Sequence, residues 1–157
     1  MALHGALLVA TAKFIDSADF EIRLNRSATD FKKVAEAAIR AGAAIIATKM
    51  QENLRGILSP DATGQLVAAL GITPVKQGLD YNWNAHIGFD GYQQPGYGKF
   101  PQGVPFQLIA RSFESGAGDW RPPTPFAKPA VRATREEVRR VMTRAAEEEF
   151  QKIMEGK

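Results

Sequence analysis

Four prolines fall within eight positions, at Pro122, Pro123, Pro125 and Pro129, and no other stretch of this chain limits its own backbone so severely. Each proline fixes φ near about −65° and lacks an N–H, and each disfavours helix for the residue before it, so an interior strand or helix is excluded where they cluster. The reading for 121–131 is an extended proline-rich arm with Phe126 as its one large apolar anchor. It runs into a helix opened by Thr134-Arg135-Glu136-Glu137, a capping box.

The rest of the chain has the size and make-up of one domain. Its 157 residues can bury a single core without staples, and 1–157 is read as a single domain. With no cysteine, disulfides, thiolate metal sites and thiol nucleophiles are excluded, which fits synthesis in a reducing compartment. The apolar start, Leu3 to Ala12, ends in a small-x-small triplet but has no Lys or Arg before it. It reads as a buried strand or docking arm rather than a secretory signal, and no run reaches the length of a membrane span. Net charge is +3, and its placement is uneven: residues 1–120 carry eleven basic and eleven acidic side chains, whereas 121–157 carry nine and six. That is a modest basic patch, smaller than a nucleic-acid-binding tail.

Periodicity supplies the elements. Asp19 to Asn25 alternates polar and apolar, as a half-buried strand does. From Thr29 or Asp30 a helix is predicted to about Leu58, ending before Pro60, with Phe31, Val34, Ala35, Ala38, Ile39, Gly42, Ile45, Ile46, Met50 and Ile57 on its stripe. Gly42 in that stripe predicts a closely approaching backbone. A short helix follows over Thr63–Gly71, closed by Gly71. Two strands, Ile72–Lys76 and Tyr81–Phe89, then flank Gly78-Leu79-Asp80, with Tyr81, Trp83, Ala85, Ile87 and Phe89 on one face.

Gly91 to Gly103 has no regular period and reads as a long loop carrying Tyr92, Tyr97 and Phe100. Phe106 to Glu114 reads as a helix closed by Gly116. The last helix carries Val138, Val141, Met142, Ala145, Ala146, Phe150 and Ile153. Together these predict an α+β fold, with a small antiparallel sheet of three to four strands and two long helices packed on one face. Residues 1–28 read as an N-terminal arm or added strands.

Chemistry is hard to assemble from these residues. Only His4 and His86 are present, and no HxH, HExxH or DxDxDG spacing occurs. Ser112 or Ser115 with His86 and Asp90 or Asp119 makes a triad only on paper, with no nucleophile elbow. The glycine runs match no phosphate loop. Consecutive Glu147, Glu148 and Glu149 point in different directions and suit pairs at i, i+4, namely Arg144–Glu148 and Glu148–Lys152, with Glu136–Arg140 earlier. Glu149 falls inside the apolar stripe. No catalytic residue, cofactor or metal is assigned.

The order of features resembles the tail-component family of long-tailed bacteriophages, small neck proteins that complete tails or join heads to tails. The residues carrying the resemblance are Thr63, Gly64 and Leu66, then Glu114 and Gly116, then Pro123, Pro125, Phe126, Pro129 and Ala130, over roughly residues 29–155. The resemblance implies a non-enzymatic virion protein, made in the host cytoplasm, that forms a hexameric ring at the head-proximal end of the tail. Its partners would be other copies and neighbouring neck and tail proteins. The basic patch, read from the residues themselves, suits non-specific contact with packaged DNA, and no membrane partner is expected. Family members often reach Glu-x-Gly by a short strand-like step, whereas Phe106 to Glu114 here looks helical.

Aromatic anchors dominate protein interfaces, so the contact residues expected are Trp120, Pro123, Pro125, Phe126, Lys128, Pro129, Tyr92, Tyr97, Phe100 and Glu149. Arg132, Arg135 and Arg139 are the residues expected to face DNA. Three alternatives stand beside the neck ring: a tail terminator or head-side connector, a DNA-binding accessory protein using the last helix, and a small hydrolase around His86.

Overall fold

A computed structural model describes residues 9–14, 20–25, 32–79 and 82–155. Residues 1–8, the predicted caps Thr29 and Asp30, and Tyr81 lie outside them. The fold is α+β. Strands β1 (Val9–Phe14) and β2 (Phe20–Asn25) pair antiparallel, and β2 pairs with β5 (Trp83–Phe89). The far side of β5 carries β3 (Leu70–Ile72) and β4 (Lys76–Gln77) in turn, so four strand positions are filled among the described residues.

Strand β5 is the centre of this sheet, and its alternation is the predicted one. Trp83, Ala85, Ile87 and Phe89 are buried, and the residues between them are half-buried. The register sets Leu24, Ile22 and Phe20 of β2 opposite Trp83, Ala85 and Ile87, which keeps one apolar period across the two strands.

The predicted edge strand Ile72–Lys76 is interrupted. Ile72 pairs with Ile87 and Lys76 with Asn84, so four steps along one chain match three along the other, which is one extra residue. Thr73 bridges the bulge: its N–H donates to His86 O at 2.9 Å, and its Oγ1 accepts from His86 N–H at 2.9 Å. Pro74, with no N–H to give, sits where no ladder bond is lost. The short helix α2 (Gln65–Ala68) turns straight into β3, so Gly71 is not its cap but a ladder residue opposite Gly88.

Helix α1 (Lys32–Ile57) lies on the sheet, and α4 (Ala127–Met154) lies along α1. Their stripes interlock: Ala38, Ile39, Ala43, Ile46, Met50 and Leu54 of α1 are buried, as are Ala127, Ala130, Met142 and Ala146 of α4. Gly42 faces α4, and a Cβ there would stand 2.7 Å from Met142 Cγ and Sδ and 3.2 Å from Val138 Cγ1. The close neighbour predicted at Gly42 is therefore a side chain, not a backbone. Asn53 Nδ2 donates to Phe126 O at 3.0 Å, so the two helices run antiparallel, with the start of α4 beside the end of α1.

Two predicted boundaries are corrected. The Gly91–Gly103 stretch is not an unstructured loop: β6 (Tyr92–Gln93) pairs with β7 (Val104–Pro105), and Tyr97 and Phe100 bridge inside the turn. Gly103 permits this with φ +107°, in a spot where a Cβ would meet Gln93 O at 2.6 Å. Helix α3 (Phe106–Ser115) follows, as predicted. Helix α4 begins at Ala127, seven residues before Thr134. The extended arm is thus confined to its first half, and Lys128, Pro129, Ala130 and Val131 are helical.

Candidate assembly surfaces

The beginning of α4 shows what the proline segment does. The first N–H groups of a helix have no partner inside it. Here Glu114, from the end of α3, reaches across with one carboxylate: Oε2 accepts from Phe126 N–H at 2.8 Å and Ala127 N–H at 2.9 Å, and Oε1 accepts from Lys128 N–H at 3.1 Å. Pro129 has no N–H to satisfy, and Ala130 N–H donates to Phe126 O at 3.3 Å, which starts the helical ladder. Every early donor is thereby accounted for. Charge-assisted bonds to a buried anion at a helix N-terminus are among the stronger polar contacts in a fold, and Glu114 is only 3% exposed.

The connection from α3 to α4 is strapped down rather than free. Thr124 N–H donates to Phe113 O at 2.7 Å, and Ala117 N–H to Arg121 O at 3.0 Å. Gly116 makes the turn with φ +80°, in a place where a Cβ would sit 2.8 Å from Arg121 O. The Arg121 guanidinium lies 4.1 Å over the Phe113 ring and donates to Ser112 Oγ at 3.4 Å.

Phe126 follows into the core. It is 0% exposed and meets Phe89 of β5 edge to face, with ring centroids 5.8 Å apart. This corrects its expected role as the exposed anchor of an arm. Thr134, read from sequence as a cap, is buried inside α4 and its Oγ1 donates to Ala130 O at 2.8 Å. The periodicity that would have revealed the true start was present in sequence, since Ala127, Ala130, Thr134 and Val138 continue the α4 stripe backward at helical spacing. Proline tolerance in a first turn is what allows Pro129 within it.

The other expected contact residues are distributed over the surface. Pro123, Pro125, Lys128 and Pro129 are exposed along the linker and the first turn of α4. Tyr92 and Tyr97 are 53% and 66% exposed on the β6–β7 hairpin, and the half-buried Phe100 ring stands edge-on to Tyr97 at 6.2 Å. The Trp120 side chain lies outside the described residues. Glu149 is partly covered and accepts from Lys152 Nζ at 3.3 Å. The pairings on α4 are partly those expected. Arg144 Nε meets Glu148 at 2.8 Å, a hydrogen bond that raises Arg144 above its ordinary guanidinium value. Lys152, however, pairs with Glu149 instead of Glu148, and Glu136 stands nearer Arg139, at 3.9 Å, than the predicted Arg140 partnership implies.

Sequence periodicity does not mark the remaining apolar surface features. Leu79, at the tip of the β4–β5 turn, is fully exposed, and Leu108 lies exposed on α3. A shallow groove of about 340 Å³ runs beside α3, lined by Leu58, Leu66, Ile109, Phe113 and Arg121. Of the residues of the paper triad, Ser112 Oγ donates to Ile109 O at 2.7 Å, and Asp90 Oδ1 accepts from Gly91 N–H at 2.8 Å. Both side chains are occupied by local backbone.

A strand, a long helix, a short helix, a bulged edge strand and a central strand thus precede the capped α3–α4 module. That first part is what a family model recognises. Residues 18–86 match the family described as "Bacteriophage HK97-gp10, putative tail-component". The match runs from β2 through most of β5. It includes Thr63, Gly64 and Leu66, and it takes in residues 18–28, which the sequence reading set aside as additions. The Glu114, Gly116 and proline motifs lie beyond it, so their likeness to the family rests on the residues alone. No curated protein and no solved structure matches the chain.

Proposed function

We propose that this chain is a structural virion protein of a tailed bacteriophage, assembling as a ring at the head-proximal end of the tail and joining the tail to the head. The observation that carries the proposal is the HK97-gp10 match over residues 18–86. Physical features of the chain support it. The buried polar groups are engaged in holding the fold: Glu114 caps a helix and Thr134 bonds within one. Among the large apolar side chains left exposed, Tyr92 and Tyr97 are instead of the kind that anchor protein interfaces.

In this reading the hairpin β6–β7 and the exposed linker prolines, Pro123 and Pro125, contact neighbouring copies or adjoining neck proteins, and the molecule acts by contact rather than catalysis. Tail-terminator and head-side connector rings are variants of the same reading. The test is to replace Tyr92 and Tyr97 together by Asp. The folded subunit should persist, because both residues lie on the surface, while joining of heads to tails and oligomer formation should fail. Normal joining by that double variant would remove the hairpin from the interface.

A further inference from the structure

Helix α4 carries its charges in an order that its own stability does not explain. From Ala127 to Arg144 it bears six basic residues (Lys128, Arg132, Arg135, Arg139, Arg140 and Arg144) against two acidic ones, Glu136 and Glu137; the three glutamates at 147–149 come only after. A helix macrodipole favours anions near the N-terminus and cations near the C-terminus, so the basic half stands at the less favourable end. The buried carboxylate of Glu114 offsets this at the first turn, but it lies under the helix end and not among the outer cations.

Four of the cations form a stripe. Lys128, Arg132, Arg135 and Arg139 recur at spacings of four, three and four residues, which places them on one side of the helix, and all four are exposed. One acidic residue of α4, Glu136, borders that stripe, four residues after Arg132 and three before Arg139. Glu136 meets Arg139 at 3.9 Å between strongly exposed side chains, so the stripe keeps an excess of positive charge, four cations to one anion. At about 1.5 Å of rise per residue the stripe is roughly 16 Å long. Its members are all Lys or Arg, and α4 contains no Asn and only one Gln, Gln151, at its far end. Such a surface offers charge to a phosphate backbone and little that reads base edges.

We infer that the N-terminal half of α4 is a sequence-independent binding surface for the phosphate backbone of duplex DNA, with Lys128, Arg132, Arg135 and Arg139 as the contacting cations. The surface is a property of this chain and stands whether or not the subunit forms a ring. Arginine presents a fixed fork of donors to phosphate, and three of the four are arginine. The repeat of cations at spacings of four, three and four along one helix suits a regular linear polyanion better than the irregular charges of an acidic protein patch.

The experiment is a titration of the full chain with a short random-sequence DNA duplex at several salt concentrations, with polyglutamate as the competing acidic polymer. Four phosphate contacts give a plot of log affinity against log salt with a slope of roughly −3 to −4. The triple variant R132A/R135A/R139A, which changes only exposed helix positions, should keep its circular dichroism spectrum and lose roughly three units of that slope. Lys99→Ala, on the hairpin turn, should bind as the parent does. A triple variant that binds duplex as tightly as the parent, a parent that does not bind at low salt, or tighter binding of polyglutamate than of duplex would each overturn the inference.

Discussion

At the scale of single residues, Glu114 and Phe126 carry the most. One carboxylate satisfies three backbone donors that would otherwise be buried without partners. Glu114→Ala should therefore lower stability in urea unfolding by about 2–4 kcal/mol, since charge-assisted bonds are lost and the donors are left unmet. Glu114→Gln, which keeps an acceptor but not the charge, should lose less. An alanine variant within ~0.5 kcal/mol of the parent would show that water or another group caps α4 equally well. Phe126→Ala removes a fully buried ring from the Phe89 contact and should cost about 3–5 kcal/mol. That outcome separates a core residue from a contact residue, because a surface anchor would lose assembly with its melting temperature unchanged.

At the scale of elements, the α1–α4 pair and the hairpin β6–β7 make different demands. Gly42 lets Met142 lie against α1, so Gly42→Leu should cost more than about 2 kcal/mol by overpacking. Adding Met142→Ala should recover part of that loss, a coupling that a double-mutant cycle reads directly. In the hairpin, Gly103→Ala forces a side chain into a positive-φ position against Gln93 O. Hydrogen exchange should quicken from Tyr92 to Val104 while protection within α1 and α4 stays as it was.

Sequence was most legible where periods are local. The alternation of β5 and the stripe of α1 were both readable, because each element's own residues state which face is buried. The start of α4 was not, because its cap comes from Glu114, twelve residues before Phe126, and because Pro129 looks like a barrier until its first-turn position is known. The β6–β7 ladder was hidden for a related reason: two residues on each strand are too few to show a period. Of the expected contact residues, Tyr92 and Tyr97 are readable as exposed loop aromatics, whereas Phe126 looks like one in sequence because its burial depends on Phe89, far off in the chain.

At the scale of the whole molecule, the stretch from β2 through α1 into β5 matches a phage tail-component family, and the α3–α4 module follows it. No helix among the described residues is long and apolar enough to cross a membrane. What the surface offers is a hairpin with two exposed tyrosines, a strapped proline linker and the basic half of α4. These are arranged around a core that leaves Phe126, Glu114 and Thr134 fully engaged inside the subunit. Purified tailed particles imaged by cryo-electron microscopy test the central claim most directly. The account predicts this chain as a closed ring of identical copies at the head-proximal end of the tail; its absence from the particle, or its presence there only as a single copy, would contradict it.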